Sequence, residues 1–234
     1  MRDSRPSLIL FITASVLAII ARIFNLELLL LLAKPMVVPA IFYYYLQTKR
    51  KKTNALFVTV LWLFFVGDMI MVLFPRDGIL SVMLCTMVCY AILIKFAIED
   101  CGIIKFNTFN IIFLSLLLLL LSYILFTILN LNIESIISHY LIYLVYGIIL
   151  IVLVAICTFN YLSNSNATFL HLCSMALCML VSDLFYCINK FIIELPIIDH
   201  INLFSQFMSY FFMVKYFNSR KKSLLRSSRI KKMQ

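Results

Sequence analysis

Three ionisable side chains interrupt long apolar segments of the sequence: Lys34, Asp68 and Asp183. An ionised side chain within a bilayer costs about 2.5 to 3.5 kcal/mol on insertion scales, so such residues usually face the interior of a helix bundle and mark a site. Two carboxylates and one cation leave one charge unmatched. The set fits general acid-base chemistry, and it also fits a buried ion pair that fixes helix packing.

Transmembrane helices are predicted to hold these residues. Of the 234 residues, 64% are hydrophobic and 13% are charged, whereas an ordinary soluble domain has about 25% charged residues. Because a span needs about 20 apolar residues, the predicted fold is an all-α membrane bundle of about eight transmembrane helices in residues 1–218, followed by a basic tail in 219–234. The apolar segments predict helices at 7–24, 27–47, 55–74, 79–98, 106–129, 139–160, 167–189 and 197–217.

Lysine and arginine residues predict the orientation of the bundle. With alternating sides, sixteen of the twenty fall on one side: two before the first helix, four at 49–52, Lys95 and Lys105, and eight between Lys215 and Lys232. Cytoplasmic connections are enriched in basic residues. Both termini are therefore predicted to be cytoplasmic.

This orientation brings the three ionisable residues to one depth. At 1.5 Å per residue, Lys34 lies about 10 Å below the non-cytoplasmic surface, and Asp68 and Asp183 lie about 9 Å below it. We therefore expect a shared polar pocket between the second, third and seventh helices, with the side chains within about 10 Å of one another. The alternative is an ion pair of Lys34 with one aspartate, the other aspartate bonding to Ser or Thr.

Short motifs around these positions resemble the YhhN-like lysoplasmalogenase family. They are Leu32–Pro35 (LAKP), Val66–Asp68 (VGD), and Val181–Asp183 (VSD) followed by Asn189–Phe191 (NKF). The resemblance covers nearly the whole chain in length, helix number and order of motifs. It implies an integral membrane enzyme that hydrolyses the vinyl-ether bond of lysoplasmalogens, releasing a fatty aldehyde and a glycerophospho head group.

The resemblance also implies roles for the three ionisable residues. Asp68 and Asp183 would be the catalytic acid and base, because vinyl-ether cleavage needs proton delivery to carbon and attack by water. Lys34 would bind the substrate phosphate as a point charge, or keep one aspartate ionised while the other stays protonated.

This chain departs from the family at two positions. The family often has His in the fourth helix and Gln or His in the eighth, where this chain has Tyr90 and Tyr210. Gln206, one turn from Tyr210, could substitute. Together with Lys34, these three residues are the predicted substrate-binding set.

Cofactors and other partners are predicted from the remaining residues. The seven cysteines contain no CxxC pair and the three histidines are scattered, so no cofactor or metal site is predicted. The basic residues favour anionic lipid head groups of the cell membrane over nucleic acid. Two alternatives stay open: a non-enzymatic protein that binds or moves lipid on the same scaffold, and a small transporter that couples protons through Asp68 and Asp183.

Overall fold

Eight helices make up the computed structural model, which describes residues 5–49, 53–74, 77–101, 107–131, 139–193 and 195–231, with only the helical backbone from 221 onwards. No strand occurs among these residues. The helices are α1 (Arg5–Ile23), α2 (Glu27–Thr48), α3 (Ala55–Leu73), α4 (Ile79–Glu99), α5 (Thr108–Leu129), α6 (Tyr140–Ser163), α7 (Ala167–Phe191) and α8 (Pro196–Lys231).

The helices α1 to α7 are each long and apolar enough to cross a membrane. The protein is therefore an all-helical, multi-pass membrane protein, which confirms this part of the sequence prediction. The predicted helix positions agree with the observed ones to within a few residues, except at the end of α8. That helix continues to Lys231, because Lys, Arg and Leu favour a helix even where the apolar segment has ended.

Asparagine side chains begin three of the helices. Asn54, Asn107 and Asn166 precede α3, α5 and α7, and each accepts a hydrogen bond from the backbone N–H two residues later. Such a cap satisfies a donor that the helix itself cannot, and it contributes about 1 kcal/mol. Between α1 and α2, Asn25 adopts a left-handed φ of 52°, a conformation that Asn tolerates better than most residues.

A closed arrangement includes every described helix except α5. In order, α1, α2, α3, α4, α6, α7 and α8 each pack against the next, and α8 returns to α1 and α2. Helix α5 packs against α6 from outside this arrangement, and of its side chains only Leu121 and Leu129 are buried. Helix α5 therefore presents most of its surface outward, whereas α8 packs on α1, α2 and α7.

The packing of α8 on several helices explains why this helix can be less apolar than the others. Its side chains Ser205, Ser209, Tyr210 and Tyr216 are buried within the protein, and Asn202 accepts a hydrogen bond from Ser182 of α7 at 2.7 Å. A helix buried against protein can carry polar groups that neighbouring helices satisfy. Several polar side chains of α8 are therefore buried between helices.

Candidate functional site

Asp68 is the centre of a polar group that joins α2, α3 and α8. Its side chain is 3% exposed, and its Oδ1 lies 3.7 Å from Lys34 Nζ. Gln206 Nε2 donates to Oδ1 at 2.9 Å, and the hydroxyl of Tyr210 donates to Oδ2 at 3.1 Å. Both carboxylate oxygens of Asp68 therefore have partners within the protein.

Helix geometry brings these partners of Asp68 together. Gln206 and Tyr210 are four residues apart and lie on the same face of α8, where Gln206 Nε2 also lies 2.9 Å from the Tyr210 hydroxyl. One turn before Asp68 on α3, the ring of Phe64 packs with its centroid 5.3 Å from that of Tyr210. The tyrosine is thus held from both sides, which fixes its hydroxyl on the carboxylate.

Asp183 is the centre of a second polar group, formed by α4, α6 and α7. The hydroxyls of Tyr90 and Tyr146 both donate to its Oδ2, at 2.7 Å and 2.6 Å. Its Oδ1 accepts no hydrogen bond from a described residue, and no ion pair of Asp183 occurs among them. Within the described part of the chain, both donors therefore bind one oxygen of this carboxylate, and the other oxygen has no hydrogen-bond donor.

An apolar cavity adjoins the Asp183 group. It has a volume of about 60 Å³ and lies between the last half of α5, the first half of α6 and the last half of α7. Asp183 and Tyr146 line it together with Leu121, Leu125 and Leu180, whereas neither Lys34 nor Asp68 is part of its lining. Of the two aspartates, Asp183 is therefore the one that lines this cavity.

A third polar group lies where α4 ends, and it connects that end to α8. Arg220 donates through Nε to both oxygens of Asp100, at 2.8 Å and 2.7 Å, and through Nη2 to Glu99 at 2.8 Å. Tyr216 adds a hydrogen bond to Asp100 at 2.6 Å. The charge of Arg220 is therefore paired with carboxylates of the protein itself, and these contacts link the end of α4 to α8.

The residues predicted from the sequence fall into the first two groups. Lys34, Gln206 and Tyr210 contact Asp68, and Tyr90 contacts Asp183. Lys34 and Asp68 form an ion pair, as expected in the alternative in which Lys34 pairs with one aspartate to fix helix packing. The partners of the other aspartate are tyrosines and not the Ser or Thr that this alternative assumed.

Sequence reasoning missed Tyr146, the second donor to Asp183. A signal was present, because Tyr140, Tyr143 and Tyr146 recur every three residues in the otherwise apolar first half of α6. Tyr146 is also about 9 Å from the start of α6 at 1.5 Å per residue, the depth estimated for Asp183. Estimating the depth of tyrosine hydroxyls in the same way as the depth of the charged residues would have indicated Tyr146.

The fold and the two aspartate groups define a class: a multi-pass α-helical membrane protein with one buried and one half-buried carboxylate between its helices. Comparison with models of protein families, with curated proteins and with solved structures finds no match. The resemblance to the YhhN-like family therefore rests on its short motifs, their order, and the length and helix number of the chain.

Proposed function

We propose that this protein is an integral membrane hydrolase of the lysoplasmalogenase type, with Asp183 as its acid-base residue. The observation that carries the proposal is the Oδ1 of Asp183, which no described residue occupies, in a carboxylate that borders an apolar cavity and has two tyrosine donors on its other oxygen. An apolar cavity with a few convergent polar groups is the usual form of a small-molecule site. The substrate class comes from the resemblance of the sequence motifs.

The chemistry of vinyl-ether hydrolysis suits this arrangement. Protonated Asp183 would deliver its proton to the β-carbon of the vinyl ether, whose double-bond electrons form the new C–H bond and leave an oxocarbenium ion. The hydroxyls of Tyr90 and Tyr146 stabilise the carboxylate that results, since donors aimed at developing charge lower a barrier. Water then adds to the oxocarbenium carbon, its proton returns to Asp183, and the hemiacetal breaks into aldehyde and alcohol.

Asp68 has a different role in this proposal. Both of its oxygens have partners, Lys34, Gln206 and Tyr210, and Asp68 does not line the cavity, so it is less well placed than Asp183 to exchange a proton with a substrate. We assign the Asp68 group to positioning α2, α3 and α8 relative to one another, in place of the catalytic and substrate-binding roles implied by the resemblance. Lys34 would then act as the countercharge of Asp68 and not as a phosphate ligand.

Aldehyde release tests the proposed activity directly. Purified protein in detergent or vesicles is expected to release fatty aldehyde from lysoplasmalogen and none from the matched lysolipid with a saturated ether, because only a vinyl ether becomes an oxocarbenium ion on protonation. The aldehyde is measured by a coupled dehydrogenase. No release from either lipid across a range of pH values would reject the hydrolase proposal.

A second candidate function is lipid binding without chemistry. The cavity beside Asp183 is lined almost entirely by apolar side chains, and such a cavity serves binding as well as catalysis. Saturable binding of both ether lipids with no aldehyde would favour this second function. The proposed partner is in either case a membrane lipid.

Anionic head groups are the proposed partners of the basic residues at 49–52 and in the tail. Residues 50–52, the side chains from 221 onwards, and Lys105 lie outside the described residues. This partner therefore rests on the charge pattern of the sequence. The test is binding of the protein's basic segments to vesicles. Binding that weakens as phosphatidylserine is replaced by phosphatidylcholine would support anionic head groups as partners.

The proposed topology includes α8 as an eighth span in the cell membrane, with both termini cytoplasmic. Helix α8 packs against α1, α2 and α7, which are all apolar enough to span. We expect tags at Met1 and Gln234 to be accessible from the cytoplasm, and a tag inserted after Leu131 to be accessible only from the other side. Protease protection of the tags measures this, and termini on opposite sides would contradict an eight-span topology.

A further inference from the structure

Helix α5 has an unusual place in this fold. It is as apolar as any of the spans, yet it packs on α6 from outside the closed arrangement and buries only two side chains among the described residues. The cavity beside Asp183 lies where α5 and α7 both approach α6. One wall of the cavity is therefore a peripheral helix in contact with the hydrocarbon of the bilayer.

A second apolar depression, the outer groove, lies on the other side of the same pair of helices. It has a volume of about 360 Å³ and runs between α5 and α6, with Ser122 and Phe126 on its α5 side and Leu144 and Ile148 on its α6 side. The side chains of Phe126 and Ile148 are both exposed at the surface of the protein. The outer groove is therefore open to the bilayer and apolar along most of its length.

The inner cavity and the outer groove share the same dividing side chains. Leu125, Leu129 and Ile151 line both. Leu125 packs directly on Gly147, where a Cβ atom would overlap Leu125 Cδ1. The division between the two spaces is thus a layer of flexible aliphatic side chains over a glycine, and aliphatic groups form neither hydrogen bonds nor ion pairs that would hold it closed.

The two volumes differ in what they can hold. One water needs about 10 to 15 Å³ of cavity volume, so the inner cavity, at about 60 Å³, holds only a short piece of a molecule next to Asp183. The outer groove, at about 360 Å³, has room for a longer apolar segment. A ligand that fits both has one polar or reactive end and one extended hydrocarbon part.

We propose that the inner cavity and outer groove together form one track for the hydrocarbon chain of a single-chain lipid. The chain crosses the Leu125 layer, and its first carbons, those that carry the vinyl ether in the proposed substrate, lie beside Asp183. The identity of the lipid rests on the proposed function, whereas the track rests on the shape and lining of the two spaces. A single track between α5 and α6 accommodates one chain, so a lysolipid fits better than a lipid with two chains.

Photo-crosslinking tests the track without requiring turnover. The probe is a lysophospholipid that carries a diazirine in its chain, added to the full-length protein in phosphatidylcholine nanodiscs. We expect labelled peptides from α5 and α6, with labelling that saturates and that an excess of unlabelled lysophospholipid removes. Labelling that competitor does not reduce would mean contact with bulk lipid only, and would overturn the proposal.

Two substitutions on α5 provide the matched comparison. Leu125→Trp fills the dividing layer and should lower competitor-sensitive labelling about tenfold, as expected for the loss of about two buried methylene groups. Leu119→Trp places the same ring at a position whose leucine is 69% exposed and should leave labelling unchanged. Equal labelling in both variants would overturn the proposal. If Leu125→Trp does not fold, Leu125→Ala must instead increase the labelling.

The crosslinking assay tests the track and the aldehyde assay tests the hydrolase, so each proposal can be rejected without the other. Saturable labelling of α5 and α6 without aldehyde release would keep the track and reject the hydrolase. Aldehyde release with competitor-sensitive labelling confined to other helices would keep the hydrolase and reject the track.

Discussion

Asp183→Asn is expected to lower the turnover of lysoplasmalogen by at least about a hundredfold, the usual scale of general acid-base catalysis. Asn keeps the size of the side chain and an oxygen that can accept from Tyr90 and Tyr146, but it can neither deliver nor take the proton that vinyl-ether cleavage requires. The packing around position 183 should persist. Initial rates of aldehyde release and thermal unfolding of the same preparation measure the two effects.

The matched control for this change is Asp199→Asn. Asp199 pairs with Arg22, whose side chain is 46% exposed, and an exposed ion pair contributes only about 0 to 1 kcal/mol. The control should therefore hydrolyse the lipid at nearly the parental rate. Parental turnover in Asp183→Asn as well would show that the carboxylate is not the acid-base residue.

Lys34→Met is expected to destabilise the protein by about 3 to 5 kcal/mol, because removal of one partner from a buried ion pair leaves an uncompensated group. Asp68 is 3% exposed and cannot regain water in place of the lysine. Adding Asp68→Asn removes the charge and keeps one oxygen that can accept from Gln206, while the new amide N–H can donate to the hydroxyl oxygen of Tyr210. The double variant should therefore recover most of the stability, as measured by unfolding in detergent micelles.

Lys190→Met is the control for loss of a cation, since Lys190 is an exposed residue in the last turn of α7. It should leave the free energy of unfolding nearly unchanged. Unchanged stability of Lys34→Met, together with a raised KM for lipids that carry a phosphate, would contradict this role. Lys34 would then bind the head group of the substrate.

Much of the fold could be predicted from the sequence because the bilayer imposes a simple rule. A helix must satisfy its own backbone within hydrocarbon and needs about 20 apolar residues to cross it, so the apolar segments predicted all eight described helices. The cost of burying charge also singled out three side chains. Lys34, Asp68 and Asp183 stood out because charge in apolar segments is rare, and each is part of a polar group between helices.

Which residues meet across helices could not be predicted in the same way. The predicted depth is the same for Lys34, Asp68 and Asp183, but depth contains no information about the rotation or the neighbours of a helix. Hydropathy likewise ranks α5 and α7 as spans without showing that α5 is peripheral. These features depend on packing among side chains that lie far apart in the sequence.

The sequence by itself determined the helices and their order, because both follow from local hydropathy, and the depth of the charged residues stays a prediction from the fixed rise per residue. Only the tertiary structure decided that Lys34 pairs with Asp68, that Tyr90 and Tyr146 converge on Asp183, and that a cavity opens beside the second aspartate. The physical reason is that the rotation of each helix about its axis is set by packing against its neighbours, and that packing involves the whole bundle at once.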